Sequence, residues 1–155
     1  MTTSSGNPLS ERQTRPVPAP DELLLDEPFE ERDLAALRRT VAAHADRAGL
    51  TRRRGADLVL VACELASNAV RHGGGHGRLR LWIADDMVYC QVSDSGPGIP
   101  RTHRLPTERP DPSALGGRGL WLVLHFCDNL RLDNGTDGGA VITAALPMTA
   151  PSPPE

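Results

Sequence analysis

Three short segments carry the residues that could do chemistry, and they occur in the order E-L-A-S-N at 64–68, D-S-G-P-G at 94–98 and G-R-G-L at 117–120. Glu64 and Asn68 are four apart, so on a helix they project from the same side, one turn from each other. The Asn68 carbonyl is a hard oxygen suited to magnesium, an ion that keeps several waters and takes further ligands from substrate phosphates. A nearby carboxylate, Glu64, can accept the proton of a water or hydroxyl that attacks a γ-phosphate. Asp94 can accept a hydrogen bond from the exocyclic amine of adenine, and Gly96 and Gly98 let the backbone approach a flat base. Gly117, Arg118, Gly119 and Leu120 open an apolar run, so free amides at a helix start could face phosphate oxygens, with Arg118 adding charge. Taken together, these groups suit ATP with Mg2+. Taken singly, each segment reads more simply as a solvated helix face, a tight turn or a hinge before a helix.

Positioning such groups requires particular elements. Leu34, Leu37, Val41 and Ala45 recur at helical spacing in a segment that starts at Glu30 and stops at Gly49. Thr51 is placed to cap a second helix that runs to His72, where Gly73-Gly74-Gly75 ends it. Leu58, Val61, Ala62, Leu65 and Ala69 form its apolar face, and Glu64, Asn68 and Arg71 fall on another. Strand patterns at 78–83 and 87–93 are joined through Ala84-Asp85-Asp86, a connection short enough to require an antiparallel hairpin. Residues 120–126 predict a short helix after the glycines, and 130–133 with 140–146 predict a closing hairpin across N-G-T-D-G-G. Leu23-Leu24-Leu25, before Pro28, suits an edge strand or a partner-facing segment. The order predicts an α+β two-layer sandwich, with helices on one face of a mainly antiparallel sheet.

Composition narrows the function classes. The chain of 155 residues suits one domain, here 21–147, with polar, proline-rich tails at 1–20 and 148–155 that are expected to be disordered. All 17 of its Lys and Arg residues are arginine, which removes a P-loop lysine, a Schiff base and the strand lysine of protein kinases. A net charge of -3 gives no electrostatic footprint for nucleic acid. Cys63, Cys90 and Cys127 stand singly among apolar neighbours, as buried thiols rather than a disulfide or zinc framework. No apolar run reaches the roughly 20 residues needed to span a bilayer, and no signal-peptide core opens the chain, so the cytoplasm is the expected compartment. His72 and His76 are separated by a helix-breaking glycine run that would not align them as metal ligands, and His44, His103 and His125 are read as surface or core residues.

The order and spacing of the three segments resemble the GHKL, or Bergerat-fold, ATP-binding family, whose N, G1 and G2 boxes they match. N-A-V-R-H-G at 68–73 and G-G-R-G-L-W-L-V at 116–123 look most like the anti-sigma-factor serine/threonine kinases. The resemblance implies Glu64 as catalytic base, Asn68 as magnesium ligand and Asp94 as the adenine-recognising aspartate, with Gly96, Gly98, Gly117 and Gly119 as box glycines. It also implies Thr143 as an adenine-supporting residue and 100–116 as an ATP lid. Without lysine, Arg101, Arg104, Arg109 or Arg118 would supply any cation at the phosphates. The implied protein phosphorylates an anti-sigma-factor antagonist of the STAS type, binds a sigma factor and forms a homodimer. Two other functions fit the same residues: a regulatory module whose partner binding follows ATP occupancy, and a histidine kinase catalytic domain working on a separate phosphoacceptor.

Overall fold

The computed structural model describes residues 16–100 and 118–149. Among these residues, five strands form one sheet in the order β1-β2-β3-β5-β4, and every neighbouring pair is antiparallel. In chain order they are β1 (Glu22–Glu30), β2 (His76–Ala84), β3 (Met87–Asp94), β4 (Asn129–Asn134) and β5 (Ala140–Pro147). Helices α1 (Leu34–Arg47) and α2 (Arg52–His72) lie between β1 and β2, and α3 (Arg118–Phe126) lies between β3 and β4. All three cover the same face of the sheet, as the predicted two-layer α+β sandwich requires.

Helix α2 is the beam of the structure. The Thr51 hydroxyl accepts a hydrogen bond from the Arg54 N–H at 3.3 Å, which satisfies one of the free amides at the helix start. Its stripe of Leu58, Val61, Ala62, Leu65, Ala66 and Ala69 is buried against Leu79, Leu81, Val88 and Cys90 of the sheet. Each large side chain so buried contributes roughly 1.5–3 kcal/mol, so this stripe holds helix and sheet in register. A Leu65→Ala truncation would remove about 2–5 kcal/mol of that packing.

The β2–β3 connection is a two-residue turn in which Asp85 and Asp86 have φ of 51° and 60°. Both values lie in the left-handed region that a tight hairpin demands and that aspartate tolerates better than most residues. Two boundaries differ from the sequence expectation. Glu30 ends β1 rather than opening a helix, and a short 3-10 turn, Glu31–Asp33, precedes α1. The three leucines belong to a nine-residue edge strand that continues through Pro28, a residue type that sheets accept on their edge strands.

The second face of the sheet carries its own small cluster. Trp82 stacks on Tyr89 with centroids 5.4 Å apart, the Arg80 guanidinium lies over the indole, and Val17 packs on the group. Residues 16–20, assigned from composition to a disordered tail, therefore include an ordered contact. Tails 1–15 and 150–155 lie outside the described residues.

Candidate functional site

A cavity of about 280 Å³ opens between α2, the start of α3 and the ends of β3 and β5. Leu65, Asn68, Ala69 and His72 line it from α2, and Leu120 lines it from α3. Val92, Leu132 and Ile142 give it an apolar floor, while Asp94, Gly98, Ile99 and Pro100 form the rim where β3 ends. An apolar slot with a few convergent polar groups is the usual form of a small-ligand site.

Asp94 is the last residue of β3 and is held by backbone from two directions. Its Oδ1 accepts from the N–H of Gly96 at 3.0 Å and from the N–H of Ala140 at 3.0 Å. The turn D-S-G-P-G thus folds back on its own carboxylate, and β5 adds the second donor. Gly73, at the end of α2, lies so close that a Cβ there would overlap the Asp94 carboxylate, and a Cβ on Gly96 would stand 2.7 Å from the Gly73 Cα. The glycines that end α2 and shape the turn therefore let the helix end and the strand end meet.

At the other end, α3 begins against α2. A Cβ on Gly119 would stand 2.8 Å from Glu64 Oε2 and 3.5 Å from Asn68 Oδ1. The first turn of α3 thus adjoins both polar groups of the E-L-A-S-N segment, and the missing side chain permits that close approach. Leu120 anchors that turn in the core with Val123 and Leu124. Gly117, the side chain of Arg118, the implied lid at 100–116 beyond Pro100, and Arg101, Arg104 and Arg109 lie outside the described residues.

Thr143 departs from its expected place. It is buried, but it points to the opposite face of the sheet, where its Oγ1 accepts from Gln91 Nε2 at 3.0 Å. Strand alternation explains this: Ala140 and Ile142 of β5 face the cavity, so the odd-numbered residues between and after them face away. The β5 residue that supports the Asp94 end is Ala140, through its amide. Sequence reading could not single it out, because a backbone donor has no residue type.

His72, set aside as a metal ligand because of the glycine run after it, lines the cavity. Its signal was available, since positions 64, 68 and 72 share one helix face at four-residue spacing. His76 has a different role and shares a 2.8 Å hydrogen bond with the Ser95 hydroxyl at the turn. Burial pushes the Cys90 thiol up to about 12, with Cys63 adding to the rise. Burial likewise raises Cys63, partly offset by the Arg38 guanidinium. Neither is a nucleophile at neutral pH.

The sheet with helices on one face, the aspartate turn and the paired helix groups together make an α+β domain with one cavity-lining carboxylate and a second polar pair beside it. Residues 28–146 match the model of the histidine kinase-like ATPase domain. The chain belongs to that family of ATP-binding domains. It is 34% identical over 110 residues to the signal transduction histidine-protein kinase AfsQ2 of Streptomyces coelicolor, covering 63% of this chain and 20% of that protein. It is 28% identical over 95 residues to an anti-sigma F factor of Bacillus licheniformis, covering 56% of this chain and 64% of that one. The chain thus spans less than two thirds of either relative. Among solved structures, the nucleotide-free catalytic domain of the histidine kinase ThkA shares the fold, with a TM-score of 0.50 at 19% identity over 81% of this chain and 97% of that one. Among the described residues, no helix is long and apolar enough to cross a membrane.

Proposed function

We propose that this protein is an anti-sigma-factor-type serine/threonine kinase that uses Mg-ATP to phosphorylate a STAS-type anti-sigma-factor antagonist and also binds a sigma factor, as a cytoplasmic homodimer. The observation that carries this reading is the meeting of Glu64 and Asn68 at Gly119, with Asn68 lining the cavity whose rim holds Asp94. A base alone would need only the Asp94 end. A carboxylate and an amide oxygen at the first turn of a helix add the groups that phosphoryl transfer uses. The similarity to an anti-sigma F factor supports the partner class.

The residues present fit ATP. The apolar floor of Val92, Leu132 and Ile142 suits a flat base, and Asp94 Oδ1 is already held by two backbone amides, which leaves Oδ2 for an exocyclic amine. Asn68 Oδ1 would hold magnesium, whose charge, when bound, offsets that of the phosphates. Glu64 would take the proton of the acceptor hydroxyl as its oxygen forms the new bond to the γ-phosphorus and the bond to the β-phosphate oxygen breaks. The free amides at the start of α3 would face the phosphate oxygens.

Incubation with γ-labelled ATP and candidate antagonists should give an acid-stable phosphoprotein, as expected for a phosphoserine or phosphothreonine and not for a phosphohistidine. The Glu64→Ala protein should give none. An acid-labile product would move the assignment to histidine phosphorylation. ATP-dependent partner binding that survives Glu64→Ala, with no transfer by the parent, would make the protein a nucleotide-gated binding module instead.

A further inference from the structure

The turn between β4 and β5 reads in the sequence as a plain connector, N-G-T-D-G-G. In the structure it holds both sides of the Asp94 turn. Asn134, the last residue of β4, makes two hydrogen bonds to one residue: the Ile99 N–H donates to its Oδ1 at 2.7 Å, and its Nδ2 donates to the Ile99 carbonyl at 3.1 Å. On the other side of the same turn, the Ala140 N–H donates to Asp94 Oδ1.

Gly98 completes the fit. Its φ of 82° lies in the left-handed region, and a Cβ there would overlap the Gly138 carbonyl and stand 2.8 Å from Asn134 Oδ1. One turn is therefore nested in the other, and the hairpin fixes the carboxylate and the rim as a single unit. Ile99 and Pro100 line the cavity alongside Asp94.

We propose that Asn134 is a positioning residue for nucleotide binding: its amide sets where Ile99 and Pro100 stand relative to the Asp94 carboxylate and so fixes the width of the slot that receives the base. The proposal rests on the reading of this cavity as an ATP site. The chemistry singles out an amide. Asparagine offers an acceptor and a donor at the reach of one backbone unit, whereas aspartate keeps only the acceptor and alanine has neither. Without the clasp, ordering of the rim has to occur on binding and its entropic cost comes out of the affinity.

The test is calorimetric titration of Mg-ATP into the unsubstituted chain, Asn134→Ala, Asn134→Asp and, as a control in the same turn, Thr136→Ala, with amide hydrogen exchange at Ile99 in each. Asn134→Ala should bind ATP about tenfold more weakly, the loss expected for two neutral hydrogen bonds, and Ile99 exchange should accelerate. Asn134→Asp, which keeps the acceptor for the Ile99 amide, should fall between alanine and the parent in both readouts, and Thr136→Ala should match the parent. An Asn134→Ala affinity within twofold of the parent overturns the proposal and leaves the ATP site standing. An unsubstituted chain that binds no ATP overturns both. Should Asn134→Ala fail to fold, Asn134→Asp decides alone, and parental affinity and Ile99 exchange there would sink the idea.

Discussion

Asp94 lines the cavity and Glu64 stands beside Gly119, one helical turn from the cavity residue Asn68, and the two carboxylates are held in different ways. Asp94 stands where a strand becomes a turn, and two backbone amides, one from its own turn and one from β5, fix Oδ1. Glu64 sits in the middle of α2, where the backbone amides are engaged within the helix, and its place relative to the cavity comes from how α2 packs and how α3 begins beside it. One end is thus set by local hydrogen bonds and the other by the docking of two helices. On the proposed function, binding and transfer are therefore separable: an Asp94 end that receives the base can be complete while the Glu64 end still depends on where α3 starts.

The strongest challenge to that division is Glu64→Gln, which keeps size and helix packing but cannot accept a proton. Phosphate transfer should fall by at least roughly 100-fold, while ATP affinity measured by titration stays within about threefold. Parallel losses of both would break the division. Asp94→Asn should do the reverse at its own end. Oδ1 can still accept from Gly96 and Ala140, but an amide group now meets the amine of the base, and ATP should bind roughly tenfold to hundredfold more weakly in the same titration.

A buried thiol in the sheet core, outside the cavity lining, gives a smaller effect. Cys90 lies beneath α2, and burial holds its thiol at about 12, above an ordinary 9.0. The folded chain keeps this proton where the unfolded chain loses it, so the contribution to stability is full below pH 9 and declines as pH rises towards 12. Chemical denaturation should show a loss approaching about 1.4 kcal/mol per pH unit in that window, and Cys90→Val should flatten the slope. An unchanged slope in the variant would assign the loss elsewhere.

The smallest effect is expected at Thr143. Thr143→Val leaves the Gln91 amide without its acceptor on the far face of the sheet and should cost about 1 kcal/mol of stability, with ATP affinity unaltered. A clear drop in affinity would return Thr143 to the adenine site and contradict the strand alternation seen here.

Most of the fold was legible because helix and strand periods alternate cleanly between Leu34 and Leu146 and because Thr51, Gly73 and Asp85-Asp86 punctuate them. The grouping of the candidate residues was legible where it rests on residue type at a fixed spacing, as for Asn68 and Asp94, which line one cavity, and Glu64, which stands beside Gly119. It was illegible where the contribution comes from backbone or from parity. Ala140 acts through an amide, Asn134 acts across 35 residues on Ile99, and the facing of Thr143 depends on a register that only the paired strands set. The early end of the helix pattern, at Leu34 rather than Glu30, was hidden because Glu30 and the residues after it are polar in either state.

The most direct test of the central claim, that the cavity between Asp94 and Asn68 receives ATP, is a titration of isotopically labelled protein with Mg-ATP followed by amide resonances. Gly73, Gly96, Ile99, Ala140 and the Asn68 side chain should shift together and saturate at one affinity, while Gln91, Thr143 and Trp82 on the opposite face stay in place. Shifts confined to that opposite face, or none at any ATP concentration, would contradict the account.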